Sequence, residues 1–500
     1  MSNFYPHINI NALKKFAIAT AAAENRNRST RRGKAPAKPN PEIASIEDVV
    51  WAGEKMIEIN FVRSSLPLGP YCMMAQFTRT SPRSRMTLAL VGMMTTAQDA
   101  HIKVPKIYAY KDSAMNTIGA EVVLLEKIPG DNLEALWPSL SSRQQIKICV
   151  KLAELLLDLF NVRGALICSD LIGNGIDTRP ASVLLADERR RQHPIGSGAT
   201  LVSPPFCDGA LGTWPPPQAF TTTQDYLDAL CYRIERMFDG TVGPEFFLKA
   251  RETGRPEQPL LTTTDMSEIR ETWHRLGQLI PYHTGGFYLP KTLSSEARQS
   301  AVSVLQSRQF GIHHSEMDMD RFIVRFLPDA NGSIKGEDAE VELTLCTGWE
   351  HAYRAPLWSC ARMPPWLTNH SIIPRNRQAE LRQIIFSMMN DPRMYQDRAA
   401  WQWVTAYVHG VPERWFEGCL SAHWMFGRNI EELLVSLKDY WQIWKKDIPF
   451  PLPVGEHYRP RQRTKARVDR IRNLQVVSPP TAEDLDSTDE LFSQARVPGY

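Results

Sequence analysis

The stretch VPKIYAYKDSAMNTIGAEVVLLEKIPG, residues 104–130, contains the pattern that decides the fold. Val104–Tyr110 and Val122–Ile128 are apolar, rich in β-branched residues and bounded by proline or glycine. These features are typical of short β-strands. We predict that the two segments pair in a small sheet, and that Pro129 and Gly130 end it.

The chain has different patterns before and after this stretch. Residues 46–128 combine short extended runs with one helix candidate, Arg85–Asp99, whereas residues 129–445 are mainly helical in pattern. The first helix of the second part is marked by Ser141 and Ser142, which precede Gln144 and Gln145 in capping-box spacing. We expect an α+β fold with a small β-rich N-lobe and a large helical C-lobe. The other predicted helices are Thr223–Met237, Ser267–Leu279, Ser294–Ser307, Arg377–Asn390, Ala399–Val408 and Glu413–Trp444.

Length and composition exclude several classes of protein. The chain has 500 residues, with 58 Lys and Arg against 55 Asp and Glu, so its formal charge is +3. This length predicts two lobes, and the near-neutral charge disfavours a nucleic-acid-binding surface. The sequence contains no run of about 18 apolar residues, so no membrane-spanning helix is expected. The eight cysteines form no Cys-x-x-Cys pair, which favours reduced thiols in a cytoplasmic protein.

Both ends of the chain are rich in charge. Residues 1–45 are basic and contain few large apolar side chains after Ala23, so we predict a disordered arm. A mitochondrial targeting segment is the alternative, because Ile8–Ala23 is apolar and is followed by Arg and Ser residues. Residues 446–500 contain a basic run followed by an acidic one and predict a charged, disordered tail.

Three segments resemble, in this order, the aminoglycoside phosphotransferase family, which has the protein-kinase-like fold, and its fungal members in particular. The first is residues 104–130, which are similar to the family's strand pair and the hinge that follows. The second, Ile312–Val324 (IHHSEMDMDRFIV), resembles the catalytic loop H-x-D-L-H-x-x-N-I-hydrophobic-V. The third, Leu343–Ala352 (LTLCTGWEHA) followed by Pro356-Leu357-Trp358, resembles I-I-D-W-E-x-A with P-L-W.

This resemblance implies a two-lobe fold in which ATP binds in the cleft between the lobes. Backbone groups of Glu126, Lys127 and Ile128 would then meet the adenine as the hinge does in the family. ATP is therefore a candidate cofactor, and a nucleotide or another small molecule is the expected ligand of the cleft.

The resemblance fails at the positions that perform the family's chemistry. Glu316 stands at the catalytic Asp position, Arg321 at the metal-binding Asn position and Gly348 at the metal-binding Asp position. A guanidinium cannot ligate Mg²⁺, although it can bind phosphate, and glycine has no side-chain ligand. We therefore expect no metal-ligating residue and regard Mg²⁺ as doubtful.

The predicted N-lobe also departs from the family. Its candidate phosphate loop, Leu66–Tyr71, has one glycine between two prolines, and proline has no N–H to donate. Neither Lys55 nor Lys103 falls on the expected third strand. The helix that should supply an acid to that lysine has none near Leu88–Leu90, so we predict that its apolar face is core.

We conclude that the sequence favours a pseudoenzyme with degenerate versions of this family's motifs. Such a protein would act as a binding or regulatory module, and its partner could be another protein. The alternative is an active small-molecule phosphotransferase with Glu316 as base. A metal site is a further alternative, and Cys346 is expected to be a small core residue. The acids and histidines of that alternative metal site are His313, His314, Glu316, Asp318 and Asp320.

Overall fold

The computed structural model describes residues 4–31, 41–66, 68–78, 86–171, 201–203, 220–238, 277–280, 289, 293–327, 339–368, 370–391, 398–419 and 438. The fold mixes α and β structure. A β-sheet forms the N-terminal region and helices form the C-terminal region, as the sequence predicts.

The N-terminal region is built on a five-stranded antiparallel sheet with the order β1-β2-β3-β5-β4. The predicted strand pair is confirmed, because Tyr110 lies opposite Val123 in the β4–β5 ladder. The strands are β1 (Ile43–Trp51), β2 (Glu54–Phe61), β3 (Cys72–Phe77), β4 (Ile107–Lys111) and β5 (Val122–Glu126).

Helix α1 (Ile10–Arg31) covers one face of this sheet. Leu13, Phe16, Ala17 and Ala21 are buried in one cluster with side chains of β2, β3 and β5. The prediction of a disordered arm is therefore wrong for this segment. Its average composition is polar and basic, but four apolar side chains at helical spacing are enough to form a stripe that the sheet buries.

Helix α2 (Met86–Asp99) contacts β4 and β5 and confirms the predicted helix. Its apolar residues, among them Leu90, Val91 and Met94, are buried, as expected for core. Strand β3 contains no lysine: Lys55 lies on β2 and Lys103 precedes β4.

The chain divides into two compact units, and the division does not follow the predicted boundary at residue 128. The first unit comprises Met1–Lys151, Cys168–Thr213 and His314–Tyr353. It therefore contains the five-stranded sheet together with the segment that resembles a catalytic loop from His314 onward. A second sheet of this unit has the order β11-β10-β6, formed by β6 (Asp131–Asn132), β10 (Phe322–Leu327) and β11 (Glu340–Leu345).

The remaining helices mostly match the predicted ones. The capping box of α4 is confirmed, because Ser141 N donates to Gln144 Oε1 (3.0 Å) and Gln144 N donates to Ser141 Oγ (3.3 Å). Two short strand pairs join β7 (Ser169–Leu171) to β8 (Leu201–Ser203) and β9 (Gly311–His313) to β12 (Tyr353–Ala355). The helices are α3 (Leu133–Leu136), α4 (Ser142–Asn161), α5 (Thr223–Phe238), α6 (Ser295–Leu305), α7 (Leu357–Cys360), α8 (Arg375–Met389), α9 (Arg398–His409) and α10 (Val411–Cys419).

Some predictions fall outside the described residues. These are most of the helix Ser267–Leu279, the part of Glu413–Trp444 after Cys419 except Lys438, and the tail 446–500. In the described part of the chain, no helix combines the length and the apolar character needed to cross a membrane.

Candidate functional site

The segments that resemble a catalytic loop and a metal loop meet in the first unit. The loop from Glu316 ends in a single 3-10 turn, Met319–Arg321, directly before β10. The second loop contains another such turn, Trp349–His351, after β11. Pairing of β10 with β11 brings the two loops together, and Cys346 N donates to Arg321 O at 3.0 Å.

The guanidinium of Arg321 is the centre of this site. Its Nη1 donates to Glu54 Oε1, and its Nη2 lies 3.1 Å from Glu316 Oε2. The Arg321 side chain is 11% exposed, so both ion pairs are partly shielded from water. Burial alone would lower the pKa of Arg321, but Glu54 and Glu316 outweigh it and raise that pKa above its usual value. The arginine is therefore a permanent cation with carboxylate partners inside the protein.

Each carboxylate oxygen of Glu316 lies near a nitrogen atom of another side chain. Besides the contact with Arg321, Glu316 Oε1 lies 3.6 Å from His351 Nε2. The carboxylate thus links the two loops. Through its contact with Arg321 it is also part of an internal network of charged side chains.

The turn between β1 and β2 packs onto the same loops. Ala52 and Gly53 have positive φ angles of 47° and 75°, as in the two-residue turns that match the twist of a hairpin. Thr347 Oγ1 donates to Ala52 O at 2.5 Å. Gly53 lies so close to the Asp320 carboxylate that a Cβ atom there would overlap it. The hairpin tip is therefore docked on both loops, with Glu54 directed at Arg321.

Gly348 has a structural reason to be glycine. Its φ is +83°, a left-handed conformation that L side chains rarely adopt. A Cβ at this position would lie 2.9 Å from His314 Cε1 and 3.0 Å from Glu316 Cβ. A side chain at this position would therefore have to displace His314 or Glu316.

Acidic groups outnumber basic ones around Arg321. Burial raises the pKa of Glu350. The nearby Glu316 and Glu54 add to this increase, and His351 offsets only part of it. Burial also raises the pKa of Asp320, with Arg321 acting in the opposite direction. Arg321 therefore lies among more carboxyl groups than its single positive charge can pair.

The side chains of the alternative metal site do not converge. Glu316, Asp318 and Asp320 alternate with the buried Met317 and Met319, as predicted for an extended loop. His314, however, is buried with its ring edge-on to Trp349 at 4.9 Å. Among the described residues, no group of three or more His, Cys, Asp and Glu side chains is arranged to hold a metal ion. Cys346 is fully buried, as expected for a core residue, and burial raises the pKa of its thiol.

Of the predicted hinge residues, Glu126 is the last residue of β5, and Lys127 and Ile128 follow it. Lys127 Nζ lies 2.8 Å from both carboxylate oxygens of Glu58 on β2, so its side chain bridges the hinge to the sheet. Burial would raise the pKa of Glu58, but the hydrogen bond from Lys127 reverses the direction and lowers it. Glu126 N donates to Lys106 O at 2.8 Å. Within the described residues, the backbone groups of Lys127 and Ile128 make no turn or loop hydrogen bond.

The predicted phosphate loop lies elsewhere. Leu66 is buried in the cluster under α1, and Leu68 N donates to Asn25 Oδ1 at 2.9 Å. The segment Leu66–Tyr71 is thus fastened to α1, and the segment that faces Glu316 and Arg321 is the β1–β2 turn. The alternation of Ile57, Ile59 and Phe61 with polar residues could have located β2, but nothing in the sequence pairs Glu54 with Arg321.

No family model matches the sequence. Over 62 residues the chain is 32% identical to two subtelomeric hrmA-associated cluster proteins from two strains of Aspergillus fumigatus. The match covers 12% of this chain and 12% of the length of these curated relatives.

Two solved structures with which the chain shares a weak likeness are aminoglycoside phosphotransferases. One, from Ralstonia eutropha, is a candidate member of that class, with 9% identity and a TM-score of 0.36 over 98% of this chain and 99% of the other. The second is APH(2'')-Ib with bound ADP, with 10% identity and a TM-score of 0.33 over 86% of this chain and 99% of the other.

Proposed function

We propose that this chain is a phosphotransferase-like pseudoenzyme, in which Mg-ATP phosphotransfer is lost and the fold serves as a binding or regulatory module. The observation that carries the proposal is the position of Arg321. It replaces the family's metal-binding Asn, and its guanidinium lies between the carboxylates of Glu54 and Glu316. Phosphoryl transfer needs oxygen ligands for Mg²⁺ at this point, and a bound cation repels the metal.

Two neighbouring features support the same proposal. Gly348 supplies no ligand, and its backbone conformation and contacts disfavour an aspartate. Glu316 Oε2 is paired with the Arg321 guanidinium and Oε1 lies near the His351 imidazole, whereas a general base needs an oxygen that faces the attacking hydroxyl. Together these features leave Mg²⁺ without a ligand at Gly348 and leave Glu316 without an oxygen that is available to act as a base.

The ligand that we propose is a nucleotide or another small molecule at the hinge Glu126, Lys127 and Ile128, without Mg²⁺, with Arg321 as the candidate phosphate contact. A protein partner would make the module regulatory. The packing of Phe16 and Ala17 in the core supports retention of the N-terminal segment in the working protein, so we propose a cytoplasmic location in preference to mitochondrial import.

The test measures ADP formation from ATP with Mg²⁺, together with thermal shifts by ATP with and without the metal. We expect no ADP formation, and we expect any stabilisation by ATP to be independent of Mg²⁺. The Arg321→Asn variant should also fail to turn over ATP, because Gly348 still lacks a ligand. Arg325→Asn, at an exposed position on β10, is the matched control.

The active alternative predicts the opposite. Stabilisation by ATP would require Mg²⁺, and ADP would form at a rate that the Glu316→Ala substitution abolishes. That combination of results would overturn the pseudoenzyme proposal.

A further inference from the structure

The segment that precedes α1 crosses the back of the β1–β2 hairpin. Tyr5 Oη donates to Lys55 O at 2.5 Å, and Phe4 N donates to Asp48 Oδ2 at 3.4 Å. The ring of Phe4 lies 5.5 Å below Lys55 Nζ, measured to the ring centroid. The segment thus contacts both strands of the hairpin within a few residues of its tip.

The opposite face of the same hairpin is docked on the candidate site. Lys55 and Glu54 are consecutive in β2, so their side chains point to opposite faces of the sheet. Glu54 reaches Arg321 on one face, while the Lys55 side chain lies over the ring of Phe4 on the other. The hairpin tip is therefore fixed from two sides inside the first unit.

Helix α1 sets the position of Tyr5. Asn9 N donates to Ile118 O at 2.9 Å, and Asn9 Oδ1 accepts from Ala12 N at 3.1 Å at the start of the helix. The Tyr5 ring lies 4.6 Å from the ring of Phe77 on β3. Because the helix is packed on the sheet, the short segment before it has little freedom to leave the hairpin.

We propose that residues 4–31 form an intramolecular latch that keeps the β1–β2 hairpin closed, and that opening it frees Arg321 to bind a phosphate-bearing ligand. This inference rests on the proposed function, because it assigns Arg321 to phosphate and not to catalysis. In the closed state the Arg321 guanidinium donates a hydrogen bond to Glu54 through Nη1. In the open state Nη1 is released from Glu54 and can donate a charge-assisted hydrogen bond to a phosphate oxygen, while Nη2 stays paired with Glu316.

The test combines hydrogen–deuterium exchange of residues 49–57 with the affinity of the full chain for inorganic pyrophosphate in EDTA. Tyr5→Phe removes one hydroxyl and keeps the ring on Phe77, and Glu54→Gln removes the competing charge. The matched controls are Tyr71→Phe and Glu47→Gln, both at exposed positions of the same unit. Truncation is unsuitable, because it would uncover the core residues beneath α1.

We expect Tyr5→Phe to speed exchange of the hairpin amides about threefold to tenfold, the effect of one lost hydrogen bond on a local opening. We expect Glu54→Gln to tighten pyrophosphate binding about tenfold, since the binding-competent fraction rises. Exchange and affinity equal to those of the controls in both variants would overturn the latch. ADP formation with Mg²⁺ would overturn the proposed function alone, because exchange and metal-free affinity do not depend on turnover.

Discussion

Replacing Gly348 tests whether this position is only a lost metal ligand or a structural requirement. The comparison is between Gly348→Ala and Gly119→Ala. Both glycines have left-handed backbones, with φ of 83° and 87°, so both variants bear the same conformational cost. That cost is about 1–2 kcal/mol for an L residue.

The two positions differ in the space around them. A Cβ at Gly119 would meet only the carbonyl oxygen of His7 at 3.6 Å, an ordinary contact. A Cβ at Gly348 would lie 2.9 Å from His314 and 3.0 Å from Glu316, and such overpacking costs about 1–3 kcal/mol. The free energy of unfolding should therefore fall by about 1–2 kcal/mol in Gly119→Ala and by about 2–5 kcal/mol in Gly348→Ala.

Urea denaturation followed by tryptophan fluorescence measures both free energies of unfolding. A parallel assay of Mg²⁺ binding tests the consequence for function. Gly348→Asp should be at least as unstable as Gly348→Ala, because it adds a carboxylate beside Glu316, and it should not gain binding of Mg²⁺. Equal losses in the two alanine variants would refute the steric argument. A stable Gly348→Asp variant that binds Mg²⁺ would show that the site needs only its ligand restored.

Three further predictions concern stability. Arg321→Ala should lower the free energy of unfolding by about 2–4 kcal/mol in urea titrations, because it leaves Glu54 and its acidic neighbours facing one another, whereas the exposed Arg325→Ala should cost less than about 1 kcal/mol. Phe16→Ala should lower the free energy of unfolding by about 3 kcal/mol if α1 is part of the core, whereas Lys15→Ala should change it little. Equal effects of the two variants in thermal melts would support the original prediction of a disordered arm. Burial raises the pKa of Glu121 above its ordinary value of 4.5, against the hydrogen bonds that it accepts. The Glu121 carboxyl therefore stays protonated to a higher pH in the folded state than in the unfolded state. The stability that this protonated group contributes is lost as pH rises above about 4.5. Glu121→Gln should flatten that loss between pH 5 and 7.5 in urea midpoints, and curves of identical slope would contradict the assignment.

Local patterns in the sequence determined much of the secondary structure. The strand pair β4–β5 follows from apolar, β-branched runs between proline and glycine, and α4 begins at the predicted capping box of Ser141 and Gln144. These signals depend on residues a few positions apart, so they act before any tertiary contact forms. The sequence alone also singled out Glu316, Arg321 and Gly348 as candidate site positions.

Only the tertiary structure decided what surrounds those residues. Arg321 is paired with Glu54, which is 267 positions away, because the β1–β2 hairpin folds onto the loop before β10. Helix α1 was missed for the same reason, since its narrow apolar stripe is stabilised by the sheet and not by its own composition. Pairing of distant charges and burial of a weak stripe depend on the free energy of the assembled core, which a local pattern does not contain.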